Sequence, residues 1–249
     1  MLFFILLFLV GIVAGFINTL AGGGSILVLP VLILAGIPST IANATNRVAI
    51  LFQNITGTYR FHKHNQLKIK PVIHITISAI IGAIIGSFLA VKISSSMFDK
   101  ILGIILIFLL LLMFRPHKER NNYTNLLPKW IECLVFLLVG FYGGFIQAGV
   151  GFIFLASLNL VEEFNLIKAN AIKVFIIMSY TIFVVIIFTI SGKIIWKYGL
   201  ILALGNILGA YLGVKAAIKK GERFVRFILA FAIAIACLKL FGILKILGL

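Results

Sequence analysis

Apolar residues run through this chain in long blocks and do not alternate with polar ones. Ten such blocks can be read, roughly 2–20, 25–36, 41–60, 71–92 and 98–114, then 131–148, 152–163, 168–190, 195–216 and 224–247. A helix needs about 20 residues, at roughly 1.5 Å rise each, to cross a bilayer. Blocks 25–36 and 152–163 are too short for that. They read as half-helices, each forming a hairpin or re-entrant element with the block before it. Broken backbone at membrane depth is tolerated only where it is buried in protein or lines a wet cavity. The pattern predicts an all-α, polytopic integral membrane protein with about five helical segments in each half. Hydropathy alone accommodates eight to ten spans.

The polar interruptions recur. A shift of 127 residues carries Gly22 onto Gly149, Gly24 onto Gly151, Asn43 onto Asn170, and the Gly82, Gly86 pair onto Gly209 and Gly213. A shift of 129 carries Gly15-Phe16-Ile17 onto Gly144-Phe145-Ile146 and Asn18 onto Gln147. The chain therefore divides into a transmembrane repeat at 1–114, a linker at 115–130 and a second repeat at 131–249. Paired repeats with glycine-interrupted apolar segments in matching places point to a secondary transporter and to its binding site. Small residues four apart, Ser78, Gly82 and Gly86 and again Gly205, Gly209 and Gly213, read as faces on which helix backbones approach closely.

Composition sharpens this picture. Hydrophobic residues make up 62% of the 249 and charged residues 11%, and the first 46 carry no ionisable side chain. Lipid is the solvent for such a chain, which leaves little room for catalysis on a soluble substrate. The start, MLFFILLFLV, lacks a basic region and a small-residue cleavage site, and reads as part of the first membrane helix. The net charge of +16 does not imply nucleic acid. Its lysines and arginines sit in loops and at helix ends, where the positive-inside rule places them. Basic loops at 60–70, 115–130 and 215–226 are assigned to the cytoplasm, and the sparser loops 92–100 and 191–197 to the outside. Loop 60–70 and its repeat partner 191–197 then fall on opposite sides. The repeats are inverted, with a pseudo-two-fold axis in the membrane plane and both termini outside.

Two constellations could carry chemistry. Gly22-Gly23-Gly24-Ser25, matched by Gly149-Val150-Gly151, lets a chain turn tightly and brings backbone N–H groups close to a ligand. A helix-hairpin turn would need the same glycines. Asn43-Ala-Thr45-Asn46-Arg47 and Asn170-Ala-Ile-Lys173 each bring an amide and then a cation to the start of a long span. Intramembrane cations usually have a functional reason. Arg47 can grip an oxyanion bidentately and Lys173 can act as a point charge. The competing reading is that both snorkel to the interface; if unpaired, their removal would relieve desolvation. Asn18 and Gln147, just before the glycine turns, complete the candidate binding set. No catalytic residue, metal ligand or cofactor is predicted. His62 and His64 read as solvated loop residues and His74 as interfacial. Cys133 and Cys237 read as small apolar residues, and the six carboxylates as lying in loops or near span ends.

The run GFINTLAGGGSILVLPVLILAGIPSTIANATN, residues 15–46, resembles the N-terminal signature of the sulfite exporter TauE/SafE family. A degenerate copy, GFIQAGVGFIFLASLNL at 144–160 followed by ANAIK at 169–173, occupies the second half, with Phe152 and Ser157 where a fuller copy has glycine and proline. The resemblance spans nearly the whole chain. It implies a multi-pass inner-membrane permease for a small anion, often a sulfur-containing one such as sulfite, sulfoacetate or another sulfonate. The expected partners are that anion and membrane lipid, without nucleic acid; a homo-oligomer is open to the chain. The alternatives are a carrier of another small solute or a metal ion, a membrane anchor or assembly subunit, and a membrane enzyme.

Overall fold

The computed structural model describes residues 2–113, 128–158 and 164–240. Among these residues there is no strand. The helices are α1 (Leu2–Leu20), α2 (Ser25–Leu34), α3 (Ser39–Lys63), α4 (Ile73–Lys92), α5 (Ser95–Met113), α6 (Lys129–Phe145), α7 (Val150–Leu158), α8 (Leu166–Ile190) and α9 (Trp196–Leu240), with a 3-10 turn at Lys70–Val72. The chain is an all-α, multi-pass membrane protein. Leu2–Leu20, Lys70–Lys92, Leu166–Ile190 and Trp196–Gly221 are each long and apolar enough to cross a bilayer. Helix α3 is as long, with 25 residues, but Asn43, Asn46, Arg47, Gln53 and Asn54 dilute its hydropathy, and all five are buried. The two short blocks are short helices of 10 and 9 residues, α2 and α7.

The distribution of side chains is that of a protein solvated by lipid. On α4, Ile77, Ile81, Ile85 and Phe88 are exposed while Ala79, Gly82, Ala83 and Gly86 are buried. Bulk faces the hydrocarbon and small residues face the protein, so contacting helices approach backbone to backbone. Helix α4 packs chiefly on α6, and α1 chiefly on α9. Gly140 meets Ala79 and Gly144 meets Ala83, so α4 and α6 run parallel. Gly11 meets Gly205, and Gly209 meets Ile12 and Phe16, so α1 and α9 are parallel too. Each pair joins an element from one half of the chain to an element from the other.

Helices α3 and α8 fill the space between these pairs. Gly57 lies against Val174, while the Arg47 guanidinium sits 5.8 Å from the Phe188 ring centroid. The two helices, which correspond under the 127-residue shift, therefore run antiparallel. At the start of α3, Thr40 hydrogen-bonds Ser95 (3.0 Å), and Thr45 accepts from the Ile195 N–H (3.0 Å). The beginning of α3 and the turns at 93–95 and 191–195 thus lie at one face.

Three details depart from or add to the sequence reading. The stretch 215–226 is not a loop: helix continues through it, broken at Gly221, whose φ of 75° only glycine adopts freely. Glu132, near the start of its span as read, has a partner that the sequence did not assign: it is buried, with its carboxylate 2.6 Å from His74 Nε2. That contact joins the first turns of α6 and α4. Cys133 is a half-buried free thiol. Residues 115–127 of the linker, residues 159–163 of the seventh block and the side chain of Cys237 lie outside what is described.

The packing faces yield a paired expectation. A methyl group at Gly82 or Gly209 lands on a backbone carbonyl, Leu137 O or Ile12 O, whereas Gly103 on α5 has nothing within 4 Å. Gly82→Ala and Gly209→Ala should each cost about 1–3 kcal/mol through overpacking. Gly103→Ala should be neutral or gain up to about 1 kcal/mol in helix propensity. Thermal melts of the detergent-purified variants, followed by intrinsic fluorescence, measure the contrast. Equal melting temperatures for all three would refute the packing assignment.

Candidate functional site

Helices α1 and α6 both end inside the protein, each before a glycine turn. A helix end leaves its last carbonyls without intrahelical donors, and in lipid no water replaces them. At α6 the carbonyls concerned are those of Gly143, Gly144 and Phe145. Arg47 on α3 donates Nη1 to Gly143 O (2.5 Å) and Nη2 to Gly144 O (3.0 Å). One turn earlier on α3, Asn43 donates Nδ2 to Phe145 O (2.9 Å). Helix α1 is treated likewise from α8: Lys173 Nζ donates to Asn18 O and Thr19 O, each at 3.1 Å, and to Asn170 Oδ1 at 2.5 Å. Arg47 with Asn43, and Lys173, therefore cap helices of the opposite half, while Asn170 donates to Leu166 O of its own helix. Each cation also meets the negative end of the helix dipole it caps.

Neither cation snorkels, since Arg47 is 0% and Lys173 1% exposed. Nor are they unpaired, so their removal takes donors away from buried carbonyls. A helix terminus carries roughly half an elementary charge, which leaves each site net positive by about the other half. Among the described residues the salt-bridge contact is His74–Glu132, at the far end of α6. No described carboxylate pairs with Arg47 or Lys173.

The glycine turns lie beside these caps. Gly22 (φ 90°) touches Gly151 backbone to backbone, and a methyl on either would overlap the other. A methyl on Gly24 would strike Ala14 O, but one on Gly23 would meet only the ring edge of Phe152, 2.8 Å away. Gly24 N–H donates to Asn18 Oδ1 (3.3 Å) and Asn18 Nδ2 to Gln53 Oε1 (2.9 Å). Across the contact, Gln147 Oε1 accepts from Arg47 Nη1 and from Tyr180 Oη (3.0 Å). Gln147 and Gly149 both have positive φ, 70° and 71°. Asn46 Nδ2 reaches Ser25 Oγ at the start of α2 (3.0 Å).

Of the candidate residues, Asn18, Gly22, Gly23, Gly24, Asn43, Asn46, Arg47, Gln147, Gly149, Gly151, Asn170 and Lys173 all belong to this linked region of helix ends and turns. Thr45 does not; its hydroxyl anchors the turn before α9. Three participants escaped the sequence reading. Asn206, 1% exposed on α9, donates to Gln53 Oε1 (3.4 Å). Tyr180 holds Gln147, and Tyr142 donates to Ala148 O. Asn206 had a signal, being the one amide in the apolar run between Gly205 and Gly209. Tyr180 had a fainter one, standing 127 residues after Gln53.

Comparison with known proteins agrees with this architecture. The profile of the family described as Sulfite exporter TauE/SafE matches residues 7–240. A probable membrane transporter protein of Haemophilus influenzae is 31% identical over 228 residues, covering 89% of this chain and 88% of the relative. One from a Sinorhizobium species is 28% identical over 222 residues, covering 88% and 85%. The probable membrane transporter protein YfcA of Escherichia coli is 28% identical over 238 residues, covering 94% and 88%. No solved structure matches the chain.

The caps imply a measurable stability role. Arg47→Met leaves Gly143 O and Gly144 O without donors, and Lys173→Met does the same to Asn18 O and Thr19 O. Each change should cost at least about 1.5–3 kcal/mol, the scale of a hydrogen bond to a charged group. The detergent melting temperature reads this in the absence of any anion. Unchanged melting of both variants would show that the carbonyls need no cation.

Proposed function

The chain belongs to the sulfite exporter TauE/SafE family, and on that premise we propose that it is a membrane permease moving a small anion by alternating access. The cargo is a sulfur-containing anion such as sulfite or a sulfonate. The observation that carries this reading is the pair of buried cations, Arg47 and Lys173, bonded to carbonyls and amides on either side of the Gly22–Gly151 contact and paired with no described carboxylate. An interior of net positive charge lowers the cost of bringing an anion to membrane depth. The glycine turns bring an oxyanion near the starts of α2 and α7, where the N–H groups of Gly24, Ile26, Leu27, Val150 and Phe152 are bonded within the turns and those of Ser25 and Gly151 remain to donate. Asn43, Asn46, Asn18, Gln147 and Asn170 supply amide contacts around them.

The halves are read as inverted repeats. The antiparallel course of α3 and α8 supports this, as does the exchange of partners that puts α1 on α9 and α4 on α6. The turns at 93–95 and 191–195, both assigned outside by their charge, meet the same end of α3. Transport then consists of moving one interlocked pair of helices against the other about the glycine contact. Membership of this family implies a permease and not an enzyme.

Proteoliposomes containing the purified protein should take up sulfite saturably. Gly23→Leu should abolish uptake while leaving a folded, inserted protein, because its side chain displaces the ring of Phe152 and not backbone. Arg47→Gln should weaken uptake about tenfold or more, the scale of a charged hydrogen bond. Full activity of Gly23→Leu would sink the site. The inverted arrangement is checked separately, with single cysteines introduced at 60–70 and 191–197 after replacing Cys133 and Cys237. An impermeant thiol reagent should label the two loops from opposite sides. Labelling from one side would refute inversion but leave the anion reading intact.

A further inference from the structure

The caps described above use up most, but not all, of the polar atoms on one turn of α3. Asn43, Asn46 and Arg47 lie three and four residues apart on one helix face, each with 1% exposure or less. Asn43 donates to Phe145 O and Asn46 to Ser25, while Arg47 spends both terminal nitrogens on α6 and Gln147. Left over are Asn43 Oδ1, Asn46 Oδ1 and Arg47 Nε, each without a hydrogen-bond partner. A buried polar atom in that condition carries its full desolvation cost until something fills it.

The leftover atoms are not of one kind. Arg47 Nε is a donor and the amide oxygens are acceptors. The orientation of Asn43 is fixed by chemistry, because a flipped amide would press Oδ1 against the Phe145 carbonyl oxygen. An anion without a hydrogen suits Nε alone and sets a lone pair against Asn43 Oδ1. A ligand that complements both kinds must accept at one oxygen and donate from another.

Resting on the anion-carrier reading, we infer that the permease selects the singly protonated form of its oxyanion, with Arg47 Nε donating to a deprotonated oxygen and Asn43 Oδ1 accepting from the hydroxyl. The cargo class is a small monoanion bearing both X–O⁻ and X–OH. Hydrogen sulfite has that chemistry in its O-protonated form; sulfonates, which have no hydroxyl on sulfur, do not. The proton then travels on the cargo. The buried carboxylate among the described residues, Glu132, is occupied by His74 at the opposite end of α6 and is not available to carry it.

Two probes of matched shape and charge separate the possibilities. Methylphosphonate, at a pH where it holds one proton, and methanesulfonate are both tetrahedral monoanions with one methyl group. They are isoelectronic and differ in the central atom, phosphorus or sulfur, and in one hydroxyl hydrogen. Their affinities for the wild-type detergent-purified protein are read by thermal shift and by competition with sulfite uptake in proteoliposomes. Methylphosphonate should bind at least about tenfold more tightly, the scale on which a buried acceptor left unfilled discriminates. Raising the pH until methylphosphonate loses its hydroxyl proton should erase that advantage despite its greater negative charge. Methanesulfonate, whose charge does not change, reports any alteration of the protein over the same range. Asn43→Ala should bring the two affinities within about twofold, and the two wild-type measurements stand if that variant does not fold. Equal wild-type affinities, or a tighter dianion, would overturn the inference and leave the anion carrier standing. Binding of neither probe, together with absence of sulfite uptake, would overturn both.

Discussion

The fold depends on one interaction: a buried cation set on the C-terminal carbonyls of a helix that belongs to the other half of the chain. Helices α1 and α6 stop inside the protein so that the glycine turns can sit there. Stopping leaves carbonyls that lipid cannot satisfy. Arg47 with Asn43, and Lys173 with Asn170 behind it, serve those ends from α3 and α8. A charge is costly in this medium, and a helix terminus offers one of the few partners that lowers the cost without a counter-charge. The same geometry that makes the broken helices tolerable therefore leaves Arg47 and Lys173 without a paired carboxylate among the described residues.

The glycine faces decide what can move. On α4 and α6, and on α1 and α9, backbone lies on backbone over several turns, with no room for a methyl group. Such faces favour helices that move as rigid pairs, since sliding by a fraction of a turn brings a carbonyl against a Cβ. The contact of Gly22 with Gly151 is of another kind. It is a single point between two turns, and both residues lie next to helix starts. A joint of that kind can pivot where an interlocked face cannot. The polar residues gather around the pivot, where relative motion would change their access most.

Much of this could be read from the residues. Block length identified α2 and α7 as too short to span. The matched glycines and asparagines identified the turns, and the spacing of Gly82, Gly86, Gly209 and Gly213 identified the packing faces. Periodicity could not reveal what Arg47 and Lys173 touch. A sequence places a cation at the start of its own helix, where the dipole opposes it, and says nothing of the neighbouring helix whose opposite end it caps. The partners lie 96 and 155 residues away. Asn206 and Tyr180 were missed for a related reason: each is a lone polar residue in an apolar run, and only the approach of α9 and α8 to the turns gives it a role. At Gly221 the basic charges that read as a loop are carried on helix, because a single positive φ turns the chain without ending its hydrogen bonding for long.

The two capping cations are matched in position but not in capacity. A guanidinium has five N–H groups in a fixed fork, and an ammonium has three. Arg47 caps α6 and holds Gln147 with its terminal nitrogens and still has Nε unpartnered. Lys173 has three acceptors for three hydrogens: Asn18 O, Thr19 O and Asn170 Oδ1. A further acceptor at Arg47 Nε would therefore leave the ties to α6 in place, whereas one at Lys173 would have to displace a tie on α1 or on Asn170. An exchange of the two side chains would not be conservative at either site. Lysine at 47 has too few N–H groups to hold Gly143 O, Gly144 O and Gln147 and keep one spare, and arginine at 173 would introduce N–H groups for which the end of α1 has no waiting acceptors.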